Sequence, residues 1–318
     1  MSPAWVPPVV LERLPAQLRR CLVRMRLEDV EEIRLSAGRP LIVVGRGGDI
    51  FVTAEGEPTC RQDGALAVTW ELVQDALQLM TRSSAYALEE EFRRGYLSLP
   101  GGHRVGMVGR AVLEGGRVRT LRDVAGLNIR LAREVRGAAD ALVAVVLEDR
   151  VPRSLLLLSP PRGGKTTVLR DLVRQVSDRG YRVGLVDERS ELAGSVNGLP
   201  QLEVGIRTDV LDACPKAEGI YILLRAMGSQ VIACDEIGDE DEAAALADAA
   251  RAGVRVMATA HASGLDDAMA RPALGITLRQ GVFERVGVLS RRLGPATLEE
   301  VLSIGPHPGL RVRRGGKG

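Results

Sequence analysis

The chain has 318 residues, is 45% hydrophobic but only 3% aromatic, and carries a formal net charge of +2. That length accommodates two ordinary domains, with cores built mainly from Leu, Val, Ala and Ile. The near-neutral charge and the scarcity of rings argue against a dedicated DNA binder and against extended stacking platforms for single strands.

The first ten residues are proline-rich and predict a loose arm. Residues 11–25 space their apolar side chains as a helix. Residues 30–35 and 40–44 predict strands around a turn at Ala37-Gly38-Arg39, and 50–53 predict another. An amphipathic helix is expected at 69–80 and a second, rich in Glu and Arg, at 86–95. Residues 96–99 and 103–109 alternate like a hairpin around Pro100-Gly101-Gly102, and 118–121 with 126–131 extend that sheet. Residues 1–135 thus form a smaller α+β N-terminal domain.

A connecting helix at 138–146 ends at Arg150-Val151-Pro152. Apolar strand runs then alternate with helices: 155–158, 181–186, 231–235 and 254–260. This rhythm predicts an α/β domain over 136–310, with a parallel sheet covered on both faces. DVLDACPKAEG, residues 209–219, predicts a loop before a helix at 220–227. The basic, Gly-rich tail 311–318 is expected to be disordered.

Cys21, Cys60, Cys214 and Cys234 include no C-x-x-C pair and read as small buried residues in a reducing compartment. His103, His261 and His307 have no metal-ligand spacing. No stretch approaches the roughly 18 apolar residues of a membrane span, and the start lacks a signal-peptide pattern. A cytoplasmic location is expected, with docking on a membrane complex left open.

SPPRGGKTT, Ser159 to Thr167, follows an apolar strand run and opens an amphipathic stretch. Strand, tight turn, helix is the context of a phosphate-binding loop. Ser159, Pro160, Pro161, Arg162, Gly163, Gly164, Lys165, Thr166 and Thr167 are the candidate nucleotide-binding residues. Backbone N–H groups and the helix N-terminus would cradle phosphates; Lys165 would reach the β- and γ-oxygens, and Thr166 would hold Mg²⁺. Lysine occurs only at 165, 216 and 317, which makes Lys165 stand out in an arginine-based chain. Ser159 stands where the motif has glycine.

The strand run VIAC leads into Asp235-Glu236. Asp235 is the second candidate magnesium residue, and Glu236 the group that polarises the attacking water. The next run ends in Thr259-Ala260-His261, which places His261 beside the γ-phosphate of a parallel sheet. Glu188, within VDERSEL, is a further catalytic candidate; Arg189 and Glu191 could pair structurally. Arg104, Arg110, Arg130, Arg133 and Arg225 are all candidates to reach a phosphate across a subunit boundary.

SPPRGGKTTVLRD, VDERSELAG, RTDVLDACPKAEG, CDEIGDEDE and ATAH occur in order, downstream of EIRLSAGRPL, YALEEEFRRGYLSLPGGHRVGMVGR and NIRLARE. In this combination the chain resembles the stage III sporulation protein AA family from about Glu32 to Leu302, a family similar to the type II and type IV secretion ATPases. The resemblance implies a RecA-like P-loop NTPase core and a Mg-dependent, ATP-hydrolysing homo-oligomer, a hexamer with nucleotide between subunits. VDERSEL would be the acidic box and ATAH the histidine box. The implied partner is a membrane protein of the channel complex between mother cell and forespore, reached from the mother-cell side, with no specific nucleic acid. The family usually has glycine at Ser159, so ATP binding is expected to survive and turnover to be slowed. Two alternatives stay open: an ATP-gated assembly factor with little hydrolysis, and a nucleic-acid-dependent ATPase supported by the Arg-rich tail.

Overall fold

The computed structural model describes residues 6–25, 30–45, 47–81, 92–93, 95–132 and 135–304. Most of the helix expected at 86–95, Arg133 and the 311–318 tail lie outside the described residues. The chain divides into two units, Met1–Arg133 and Glu134–Gly318.

The first unit holds an antiparallel seven-stranded sheet. Its order is Pro58–Thr59, Gly48–Val52, Ile42–Gly45, Val30–Ser36, Arg117–Arg130, His103–Glu114, Tyr96–Leu99. Alternation sends Ile33, Leu35, Val105, Leu127 and Ile129 into one core. Helix Trp70–Met80 covers that face through Leu72, Val73, Ala76 and Met80, and its first turn is capped by Thr69, whose hydroxyl accepts from the Leu72 N–H. Three expectations change here. The N-terminal segment is not a loose arm over its described part: Pro8–Leu11 is a helical turn, and Val6 and Val10 are buried. The helix expected over 11–25 is confined to Ala16–Arg24, because Pro15 lacks the N–H that would continue a helix from the preceding turn. The strands expected at 118–121 and 126–131 are one continuous strand, Arg117–Arg130, paired along its length with His103–Glu114.

The second unit holds a seven-stranded sheet ordered Thr208–Asp212, Val183–Asp187, Val231–Cys234, Arg255–His261, Leu155–Ser159, Arg285–Ser290, Thr297–Ser303. The first six strands run parallel. The sheet is not wholly parallel, because Thr297–Ser303 returns by a short turn and pairs antiparallel at the edge. Period-two alternation splits each buried strand between two cores. Leu156, Leu158, Ile232 and Val256 face helices Lys216–Ala226, Glu240–Arg251 and Pro272–Arg279. Leu155, Leu157, Ala233 and Met257 face helices Asp140–Val146 and Lys165–Asp178. Burial on both faces is why these runs are apolar throughout. The 209–219 segment is not a loop: it supplies the edge strand Thr208–Asp212 and the first turn of helix Lys216–Ala226.

Cys21 and Cys234 are buried, which pushes their thiols up to about 11 and about 12. Cys60 is exposed and Cys214 half-buried, contrary to the expectation that all four are interior.

Candidate active site

The phosphate loop sits at the C-terminal end of strand Leu155–Ser159, where helix Lys165–Asp178 begins. Ser159 belongs to the strand and is fully buried. The left-handed positions of the loop come later, at Arg162 (φ 58°) and Gly164 (φ 87°). The position where the motif has glycine therefore needs no positive φ in this chain. Ser159 Oγ donates to the Pro160 carbonyl at 2.9 Å. It fills the space a side chain at 163 would need, since a Cβ there would lie 1.8 Å from it. The loop is backed from the far hairpin, where the Ala296 N–H donates to the Gly163 carbonyl at 2.9 Å. A Cβ at Gly164 would meet the Ala296 nitrogen at 2.8 Å, so both conformation and space require glycine there.

Three strand ends converge on the loop. Lys165 Nζ lies 2.6 Å from Glu236 Oε1 and 3.1 Å from His261 Nε2, which is itself 3.0 Å from that carboxylate oxygen. That ring nitrogen can donate to the carboxylate or accept from the ammonium, not both. His261 lies directly opposite Ser159 in the parallel register. Thr166 Oγ1 donates to Asp235 Oδ2 at 2.8 Å. The other Asp235 oxygen accepts from the Glu236 N–H at 3.0 Å and from the Thr259 hydroxyl. Burial alone would raise the Glu236 pKa, but the hydrogen bond and charge of Lys165, with His261 and Arg189, outweigh it and hold the carboxyl below its ordinary 4.5. Glu236 itself is left-handed, with φ 42°, an uncommon conformation for a residue with a side chain.

The VDERSEL segment reaches the site unevenly. Asp187 is buried and accepts three backbone N–H groups, from Glu191, Leu192 and Ala193, which pin the loop that carries Glu188. Glu188 pairs with Lys216 at 3.4 Å and Arg189 with Glu236 at 3.4 Å. The Glu191 carbonyl instead accepts from Arg170. Among the loop residues, Pro160, Pro161 and Arg162 are exposed, and Thr167 lines a separate crevice with Arg170 and Arg174. Arg104 stacks on the Tyr96 ring at 3.5 Å, Arg130 pairs with Glu32 at 3.3 Å, Arg110 is exposed, and Arg225 is exposed and donates to the Tyr221 carbonyl. Nothing in this geometry selects one of these arginines.

Sequence reasoning missed three participants: Thr259, Ala296 and Lys216. The rarity of lysine was a signal for the last, since it singles out Lys216 as much as Lys165.

The residues fit a magnesium–nucleotide. Mg²⁺ keeps most of its waters and is held by one or two protein oxygens plus phosphate, and Thr166 with Asp235 presents one hydroxyl beside one carboxylate. Among the described residues no three His, Cys, Asp or Glu side chains gather into an all-protein cage.

The family described as "Sporulation stage III, protein AA" matches residues 9–306. Stage III sporulation protein AA of Bacillus subtilis (strain 168) is 38% identical over 301 residues, which is 92% of this chain and 94% of that protein. The chain belongs to the stage III sporulation protein AA family. A further relative, Protein SEEDLING PLASTID DEVELOPMENT 1 of Arabidopsis thaliana, is 28% identical over 87% of this chain but only 37% of its own length.

Among solved structures, the Legionella pneumophila ATPase DotB superposes with a TM-score of 0.54 at 14% identity, covering 87% of this chain and 77% of DotB. The pilus retraction motor PilT with bound ADP gives 0.53 at 17% identity, covering 83% and 74%. The chain therefore shares the fold of these proteins, a RecA-like core preceded by an α+β domain. Among the described residues no helix is long and apolar enough to cross a membrane.

Proposed function

We propose that this chain is a Mg²⁺-dependent, ATP-hydrolysing oligomeric motor that powers or gates the channel complex joining mother cell and forespore, docked peripherally on a membrane protein of that complex. The observation that carries the reading is the convergence of Lys165, Thr166, Asp235, Glu236 and His261 at one loop.

In this reading Gly163, Gly164 and the backbone up to Thr167 cradle the phosphates. Thr166 and Asp235 would hold Mg²⁺, which would supply neutralisation of phosphate charge. A γ-phosphate competes with Glu236 for Lys165, because an ammonium paired at 2.6 Å must be shared or exchanged. Release from Lys165 frees the Glu236 carboxylate to orient water for in-line attack, with Glu188 in support. His261, whose Nε2 can bond either Lys165 or Glu236, moves with that exchange and reports the γ-phosphate to the rest of the unit. Positioning and charge stabilisation do most of the work. An arginine from a neighbouring subunit completes the site in the ring.

A second reading, an ATP-gated assembly factor with little hydrolysis, draws on the same ion pair: a carboxylate that stays on Lys165 orients no water. Phosphate release from Mg-ATP over a protein concentration series separates the two. Turnover rising faster than concentration and vanishing in Lys165→Ala and Glu236→Gln supports the motor. Nucleotide binding that only Lys165→Ala removes, with no turnover in any ring, refutes it in favour of the gated factor.

A further inference from the structure

One buried cation beside the site is not used in the chemistry above. Lys216 opens helix Lys216–Ala226 and is 8% exposed. Its ammonium has three protons and three partners: the Glu236 carbonyl at 2.7 Å, Glu242 Oε1 at 2.9 Å and Glu188 Oε2 at 3.4 Å. These come from three separate elements: the turn after strand Val231–Cys234, helix Glu240–Arg251, and the loop after strand Val183–Asp187. A compact ammonium donates tetrahedrally to acceptors converging from three elements, whereas a guanidinium serves only acceptors near its own plane. The chain nonetheless places lysine here while arginine supplies nearly all its other positive charge.

Lys165 and Lys216 grip the same residue from opposite ends. Lys165 holds the Glu236 carboxylate, and Lys216 holds its carbonyl. The Glu236 backbone is left-handed at φ 42°. Its N–H is directed at Asp235 Oδ1 and Thr259 Oγ1, and its C=O at Lys216. A strained conformation of this kind persists only where its surroundings over-determine it, and Lys216 is the constraint on the carbonyl side. Burial opposes the charge on Lys216, but the hydrogen bond and charge of Glu242 and the charge of Glu188 outweigh it and raise the pKa, so the ammonium persists.

We infer that Lys216 is a positioning residue for the proposed hydrolysis. It clamps the Glu236 backbone in the conformation that aims the carboxylate, and it ties the Glu188 loop to the same point. The inference rests on the ATPase reading. It separates aiming from binding, because the hydrogen bond and ion pairs of Lys216 go to Glu236, Glu242 and Glu188 rather than to the phosphate loop or the Thr166–Asp235 pair.

The test uses full-length Lys216→Met, Lys216→Arg and Lys216→Met/Glu242→Gln. The double variant removes the nearest carboxylate that the single one would leave without its ammonium. Phosphate release, affinity for a fluorescent ATP analogue and melting temperature are read on each. The expected result is a kcat loss of about 10- to 100-fold in both methionine variants, the usual size for losing an outer-shell partner. Nucleotide affinity should stay within about threefold, with arginine restoring only part of the turnover. The double variant should melt near wild type.

A double variant that folds and turns over like wild type overturns the inference. So does a loss of affinity that matches the loss of turnover, which is what a merely structural role gives. A Lys216→Met structure in which Glu236 keeps its left-handed backbone also overturns it. Wild type that binds nucleotide but releases no phosphate removes the ATPase reading and this inference together. Intact wild-type turnover that the variants share removes this inference alone.

Discussion

Gly163→Ala probes the least conventional part of the loop. The added Cβ would lie 1.8 Å from Ser159 Oγ, 3.0 Å from the Pro160 carbonyl oxygen and 3.2 Å from Ser159 Cβ. Ser159 must rotate away, which forfeits its 2.9 Å hydrogen bond to Pro160. That bond is worth about 1 kcal/mol. The two remaining contacts are backbone and Cβ, which give little, and overpacking of this kind adds about 1–3 kcal/mol. The total of about 2–4 kcal/mol corresponds to roughly 30- to several-hundred-fold weaker nucleotide binding if the loop bears it. In Ser159→Gly/Gly163→Ala the Oγ and Cβ contacts vanish and only the Pro160 oxygen at 3.0 Å stays tight, so about 1–2 kcal/mol should return. Titration with a fluorescent ATP analogue, with melting temperature alongside, measures both variants. Wild-type affinity in Gly163→Ala, or no recovery in the double variant, would refute the reasoning that Ser159 takes the space of a side chain at 163.

Two further outcomes concern the N-terminal unit. His103 is buried, and its Nδ1 accepts the Ala132 N–H at 2.9 Å, so burial lowers its pKa from 6.5 to about 4. The unfolded chain then binds this proton more readily than the folded one. The contribution is intact above pH 6.5, falls as pH drops from 6.5 toward 4, and is lost below; over that window it amounts to about 3 kcal/mol. Melting temperatures of full-length wild type should fall more steeply across that window than those of His103→Gln, and parallel slopes would exclude the assignment. Thr69→Ala removes the hydroxyl that caps helix Trp70–Met80 and should cost about 1 kcal/mol, visible as a lower melting temperature; an unchanged value would show that the cap contributes nothing.

The chemistry-bearing stretches are legible in the sequence because each is local. A loop of SPPRGGKTT, two acids after VIAC, and Thr-Ala-His after an apolar run all carry their signal within a few residues, and strand burial on both faces makes the runs unmistakably apolar. The same local signals predict an α/β unit following an α+β one, and the family motifs name the lineage. Boundaries and edges are less legible. DVLDACPKAEG reads as a loop because its charges hide a half-buried edge strand, whose pairing partner is Val183–Asp187.

What tertiary structure alone decides is which distant residues meet, and at what backbone angle. Lys165 and Glu236 are 71 residues apart and Lys165 and His261 are 96 apart, yet they share one cluster. Sequence shows that Ser159 replaces a glycine, but only the fold shows that the left-handed positions fall on Arg162 and Gly164 instead. Lys216 appears in sequence as a rare lysine, and only the convergence of three elements gives it Glu188, Glu236 and Glu242 as partners. The physical reason is the range of the interactions. Propensity and hydrophobic period act over a few residues, whereas a clamp on a strained carbonyl exists only once parallel strands have brought their C-terminal ends together.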